Sequence, residues 1–292
     1  MTHADPSAPP VVVDVALAPQ LIGDDAAAHR RTVFIVVDVI RATTSIGVLL
    51  ERGCRRLRVA ATVAQARQVA ADARVAGNAP RLTLAGEVGG LPPAGLDYGN
   101  SPAAFAQGDF SGADVVLATS NGTRALFACA GGAATLVGAL RNAGAVAHAA
   151  VEHALAAESD ASGASPAAPW TICVVCSGAF DRPAMDDTIC AGVIAGAVLD
   201  ELRAAGRAVV TGSGAQIALA VRDVARSRGL AAALADTWAA RAIVEVGLAA
   251  DLAWCAALDA SALVPYVAAT DPEQPLLLIE RWSRADAGAA GG

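Results

Sequence analysis

The chain has 292 residues, room for one large domain or two small ones with a sizeable core. Its net charge is −7, aromatics are only 4%, and all 21 basic residues are arginine, so Schiff-base chemistry and a P-loop lysine are excluded. No basic, aromatic-interleaved patch suggests nucleic acid. Mean hydropathy is +0.48, yet no apolar window of about eighteen residues runs free of charge, so no membrane span is predicted.

Residues 1–10 lack the basic start and apolar stretch of a signal peptide and read as a disordered leader to a cytoplasmic protein. Strands are predicted at 11–15, with Asp14 inside, and at 33–37. A helix follows from Thr43 or Thr44 to Glu51, stopped by Gly53. A strand at 56–60, a helix capped by Thr62 and running to 75, a turn at 77–80 and a strand at 82–85 come next. Residues 88–102 are dense in Gly and Pro and read as a long ordered loop, of the kind that often carries function. Ser101 caps a short helix. A strand at 115–118, an Asn-Gly turn, a helix from Gly122 to about 130, a strand at 134–137 and a helix from Asn142 to 157 follow. Residues 158–169 are a low-complexity surface insertion. A strand at 171–176 leads to a helix over 187–203, then helices at 215–226, 231–239 and 244–258, and a strand at 263–267. The tail over 283–292 reads as disordered. The expected fold class is α/β, with one domain over 11–282.

Two apolar runs, 33–37 and 115–118, end in polar clusters. An apolar run without alternation suits a strand covered on both faces, and open α/β sheets bind ligands at the carboxyl ends of their strands. Asp38, Arg41, Thr43 and Thr44 follow the first strand, and Asn121, Gly122, Thr123 and Arg124 follow the second. Asp38 could ligate a hard cation or act as a base, and Arg41 could grip an oxyanion. The plainer reading is an Asp38–Arg41 ion pair with Thr as helix cap. Arg124 at a helix start opposes the helix dipole, and an anion held there would supply the reason. Glu87, in Gly-Glu-Val-Gly-Gly, could ligate metal or sit in an ordinary turn. Asp186 and Asp187 suit a helix start on dipole grounds alone, or one of them is a metal ligand.

The six cysteines, at 54, 129, 173, 176, 190 and 255, read as reduced and buried. Cys173 and Cys176 fall three apart on a strand and so face opposite sides, which argues against zinc. His148 and His153 are five apart, a poor spacing for a shared ligand. Cys176 and Arg182 fit the C-x5-R spacing of cysteine phosphatases. Pro183 after the arginine and the lack of a preceding His argue against it.

Taken in order, Val36-Val-Asp-Val-Ile-Arg-Ala-Thr-Thr-Ser45, Gly86-Glu-Val-Gly-Gly90, Asp97-Tyr-Gly-Asn-Ser-Pro102, Ala118-Thr-Ser-Asn-Gly-Thr-Arg-Ala-Leu126 and Cys176-Ser-Gly with Asp186-Asp-Thr-Ile-Cys-Ala-Gly192 resemble the 2-phosphosulfolactate phosphatase, or ComB-like, family over roughly residues 11–268. The resemblance implies a three-layer α/β/α fold with a mostly parallel or mixed sheet. It implies a Mg²⁺-dependent hydrolysis of (R)-2-phospho-3-sulfolactate, a step of coenzyme M biosynthesis. It also implies a small anionic phosphorylated substrate and no nucleic-acid or membrane partner. On this basis Asp38, Arg41, Glu87 and Arg124 are catalytic. Thr43, Thr44, Asn100, Ser101, Asn121, Gly122, Thr123, Ser177 and Gly178 bind substrate. Asp38, Glu87 and Asp187 hold the metal. Two departures stand out: Val88 where the pattern has Arg, and Asp186 where it has Glu. Val88 leaves open a different small phospho-carboxylate as substrate, and a non-catalytic anion-binding homologue is the reading from another class. The oligomeric state, a homo-oligomer included, is left open.

Overall fold

The computed structural model describes residues 9–75, 81–160, 169–271 and 273–286. The turn at 77–80, most of the leader, residues 161–168 of the insertion read at 158–169 and the tail over 287–292 lie outside the described residues; residues 158–160 of that stretch instead close a helix that runs to Asp160. In chain order the elements are β1 (Val11–Ala16), α1 (Ala26–His29), β2 (Thr32–Val37), α2 (Ala42–Glu51), β3 (Arg56–Ala60), α3 (Val63–Val75), β4 (Leu82–Gly86) and α4 (Pro102–Gln107). Then come β5 (Asp114–Ala118), α5 (Gly122–Cys129), β6 (Ala134–Gly138), α6 (Ala143–Asp160), β7 (Thr171–Cys176) and α7 (Met185–Ala204). The chain closes with β8 (Val209–Thr211), α8 (Ser213–Arg228), α9 (Leu230–Ala235), α10 (Trp238–Glu245), α11 (Asp251–Cys255), β9 (Pro265–Thr270) and β10 (Leu276–Arg281).

The strands form one ten-stranded mixed sheet in the order β4-β5-β3-β10-β9-β6-β2-β7-β1-β8, flanked by helices in a three-layer α/β arrangement. Two parallel blocks, β4-β5-β3 and β6-β2-β7-β1-β8, are joined through the antiparallel β9 and β10. Every residue of β2 is buried, as its unbroken apolar run requires. Side chains alternate between two cores. Val33, Ile35 and Val37 join Ile172, Val174 and Cys176 against α6 and α7. Phe34 and Val36 join Cys173 and Val175 with Ile46 and Leu49 of α2 and Leu126 of α5. Cys173 and Cys176 therefore lie on opposite faces of the sheet. Each large apolar side chain so buried contributes about 1.5–3 kcal/mol.

Three features differ from the sequence expectation. Short β8 sits at the sheet edge with one partner, so three residues suffice, and β10 pairs antiparallel between β3 and β9. The stretch read as one helix over 244–258 breaks after Glu245 and resumes at Asp251. The start expected for the tail is packed as far as Asp286: Arg284 pairs with Glu152 at 2.7 Å, and Asp286 accepts from the Tyr266 hydroxyl at 3.2 Å.

Candidate active site

Asp38, one residue past β2, is buried, and its backbone closes the turn into α2. Thr43 donates its amide N–H to Asp38 O at 3.0 Å, and its hydroxyl lies within 3.0 Å of the same oxygen. Ala42 N–H donates to Asp38 Oδ1 at 3.3 Å, and the Thr44 hydroxyl donates to Val39 O at 2.9 Å. Both threonine hydroxyls thus help to hold the strand–helix connection. Gly122, first residue of α5, packs against the Asp38 carboxylate: a Cβ there would lie 2.8 Å from Oδ2 and 2.7 Å from the Ala42 Cβ. Only glycine lets the start of α5 approach so closely.

The ends of β2 and β7 meet at Asp187, in the first turn of α7. Its Oδ1 accepts from Val39 N–H at 3.0 Å and its Oδ2 from Gly178 N–H at 2.9 Å. Asp186 beside it is buried as well. Glu87, after β4, accepts from Gly90 N–H at 2.7 Å and from Ser120 N–H at 2.7 Å, so it ties the 87–90 turn to the end of β5. Thr119 and Thr123 bond each other reciprocally: Thr119 N–H donates to Thr123 Oγ1 at 3.1 Å, and Thr123 N–H to Thr119 Oγ1 at 3.2 Å.

The two expected arginines part company. Arg41 pairs with Asp251, not with Asp38. Its Nη1 donates to Asp251 Oδ2 at 3.0 Å and its Nη2 to Gly90 O at 2.7 Å, and the pair is 3% and 1% exposed. Asp251 Oδ1 also accepts from the Ser101 hydroxyl at 2.6 Å and from Ala103 N–H at 3.1 Å. Ser101 in turn caps α4. Arg124 instead reaches Asp181 at 2.8 Å on the surface, the pair 49% and 72% exposed. The structure therefore gathers Asp38, Glu87, Asp186 and Asp187 at the strand ends and sets Arg124 at the rim. Asp251 was missed from the sequence because nothing local marks it; Asp186 was visible only as half of an acidic pair.

The electrostatics show a cluster short of positive charge. Burial, reinforced by Glu87, pushes Asp38 up to about 6 against backbone bonds and Arg41, which lower it. Burial and then Asp38 push Asp186 up to about 7. Burial, Asp186 and Asp38 hold Asp187 well above the usual carboxylate range. Among the buried polar atoms without a hydrogen-bond partner are Ser45 Oγ in α2, Asn100 Oδ1 and Ser177 Oγ. Cys176 is no nucleophile here, since it is fully buried and its thiol is pushed far up by burial and by Asp187. All six cysteines are free and buried.

By fold this is an α/β protein whose buried acids Asp38, Asp186 and Asp187 gather past the carboxyl ends of its strands. A family model described as 2-phosphosulpholactate phosphatase matches residues 16–270. A Deinococcus radiodurans protein named probable 2-phosphosulfolactate phosphatase is 36% identical over 244 residues, which cover 83% of this chain and 90% of that protein. A Thermus thermophilus protein of the same name is 36% identical over 240 residues, covering 80% of this chain and 87% of that one. The chain belongs to the 2-phosphosulpholactate phosphatase family and, with it, to the phosphoric monoester hydrolases. Among the described residues no helix is long and apolar enough to cross a membrane.

Proposed function

We propose that this chain is a Mg²⁺-dependent cytoplasmic phosphatase that converts (R)-2-phospho-3-sulfolactate to 3-sulfolactate and phosphate, as in coenzyme M biosynthesis. Family membership supports the reaction class. One observation supports the cation: three buried carboxyls, Asp38, Asp186 and Asp187, share one region, each raised first by burial, with Glu87 adding to Asp38 and Asp38 adding to Asp186 and Asp187. Such a group is stabilised by a positive charge brought among it.

The donor atoms are all carboxylate oxygens, which suit a hard cation. Among the described residues no three His, Cys, Asp or Glu side chains form a ready-made metal cage. Mg²⁺ does not require one, because it is commonly held through one or two carboxylates together with the phosphate oxygens of the substrate. Asp38, Glu87 and Asp187 are the residues that would hold it, with Asp186 beside them; each of the three also accepts backbone N–H bonds that fix its orientation. Bound there, the ion would neutralise charge on the phosphoryl oxygens.

The chain's own residues do the positioning. Asp187 locks the ends of β2 and β7 together, Glu87 locks the 87–90 turn to β5, and Arg41 with Asp251 locks the loop that carries Asn100. Ser45 Oγ, Asn100 Oδ1 and Ser177 Oγ are among the polar atoms left open. The substrate carries phosphate, carboxylate and sulfonate, about −4 in all near neutral pH. Holding it takes cationic and N–H groups beyond those of a simple monoester site.

The test is phosphate release from phosphosulfolactate, phospholactate and an aryl phosphate, with Mg²⁺ or with chelator. Release from phosphosulfolactate in preference to the others, abolished by chelator, is expected. Equal rates in chelator would remove the metal from the reading, and no release from any ester would favour an anion-binding homologue. A preference for phospholactate would favour a different phospho-carboxylate. The observation behind that second reading is Val88, 62% exposed at the base of the turn whose tip is Gly89-Gly90, with no charge to offer.

A further inference from the structure

A second turn stands beside the site and carries a charge with no part in the scheme above. Ala179 N–H donates to Arg182 O at 2.9 Å and Arg182 N–H to Ala179 O at 3.0 Å, which leaves Phe180 and Asp181 as a two-residue tip. Both tip residues have positive φ, 52° and 58°. A type I′ turn demands this at both central positions; Asn and Gly adopt it readily and Phe does not. Three contacts hold the tip. Asp181 Oδ1 meets Arg124 Nη1 at 2.8 Å, Gln20 Nε2 donates to Asp181 O at 2.7 Å, and the exposed Phe180 ring stands edge-on to exposed Trp238 at 5.5 Å. Gly178, just before the turn, donates to Asp187, and Gly122, two residues before Arg124, lies against Asp38. The Arg124–Asp181 pair therefore bridges, at the surface, two segments that contact the carboxyl cluster.

We propose that Asp181 is a displaceable counterion that sets the charge requirement for substrate. It occupies Arg124 in the free protein and gives it up to an anionic group of the substrate other than the phosphoryl group. The proposal takes its substrate from the phosphatase reading. Three observations carry it. Arg124 lies in the first turn of α5, where the helix dipole disfavours a cation unless an anion is at hand. Arg41, the other arginine expected to grip the substrate, is buried on Asp251. The Arg124–Asp181 pair is solvent-exposed on both sides, so an incoming anion exchanges with Asp181 without stranding a buried charge. Asp181 acts through Arg124 and is a specificity-determining residue, not one that touches the reacting atoms.

Asp181→Asn is the decisive variant, because Asn tolerates positive φ and only the charge is removed. In the presence of Mg²⁺, its KM for phosphosulfolactate is expected to fall about three- to fivefold, the scale an exposed ion pair allows. Its KM for an aryl phosphate, which has no second anion, is expected to change less than about twofold. Arg124→Gln is expected to raise KM for phosphosulfolactate and to erase the effect of Asp181→Asn in the double variant. An unchanged or higher KM in Asp181→Asn overturns the proposal, as does a lower KM that survives Arg124→Gln. A calorimetric titration with 3-sulfolactate, a dianion without phosphate, needs no turnover and separates the two readings. Tighter binding by Asp181→Asn supports the counterion role; equal affinity, absence of binding by both included, overturns it. Failure of the wild-type chain to release phosphate from any ester counts only against the phosphatase reading.

Discussion

Two arginine–aspartate pairs flank one cluster of acids, with nearly the same bond length, 3.0 Å for Arg41–Asp251 and 2.8 Å for Arg124–Asp181. Burial, not distance, separates them. Arg41 and Asp251 are out of water, and each satisfies further buried groups: Gly90 O on one side, Ser101 and Ala103 on the other. Removing either partner strands the other, so the pair acts as a lock. Arg124 and Asp181 face solvent, where water and salt compete, so their pairing is worth little and is free to change. One site thus uses the same two side chains for permanence and for exchange.

The largest expected effect comes from breaking the lock. Asp251→Ala leaves the Arg41 guanidinium buried without its counter-charge and removes the acceptor for Ser101 and Ala103, at a cost of about 3–5 kcal/mol by urea denaturation. A loss below about 1 kcal/mol would erase the distinction between the pairs. Next come the acids that have no arginine of their own. Their folded pKa values are raised, so their contribution to stability is complete below the unfolded value of 3.8. It is lost as pH climbs through about 6 for Asp38 and about 7 for Asp186. In chelator, the thermal midpoint is therefore expected to fall from pH 4 to pH 8, Asp38 alone contributing the equivalent of about 2–3 kcal/mol. Mg²⁺ is expected to restore it at the upper end, and Asp38→Asn to flatten the fall while abolishing turnover. A midpoint insensitive to Mg²⁺ at pH 8 would detach the cluster from any cation.

Gly122→Ala tests how tightly α5 is pressed onto Asp38. The added methyl has no room beside Asp38 Oδ2 and the Ala42 Cβ, and a loss of about 1–3 kcal/mol is expected, with a larger proportional loss of activity. The smallest effect is assigned to the exposed pair. Arg124→Gln is expected to change stability by less than about 1 kcal/mol, so that its effect on KM is read on a folded protein.

Much of this architecture was legible along the chain. Apolar runs ending in polar clusters located β2, β5 and β7 and put Asp38, Asn121 and Ser177 at strand ends, because strand burial and turn chemistry act over a few residues. Ser101 declared itself as a cap by its place before Pro102 and a short apolar helix. The three-residue β8 is too short to give such a signal; the apolar run 276–279 of β10 is legible as a strand, but its antiparallel place between β3 and β9 comes from the neighbours it pairs with.

The functions of the polar residues were less legible. Thr43, Thr44 and Thr123 carry the residue types of a phosphate site, yet their hydroxyls close local turns. What the sequence by itself determined is eight of the ten described strands, the polar ends that follow them and the family those ends mark. Only the tertiary structure decided which charge meets which. Arg41 finds its partner 210 residues away, Asp187 holds a backbone 148 residues distant, and Arg124 turns outward to Asp181. Pairing of this kind depends on where packed elements bring side chains together in low dielectric, and no local period records it.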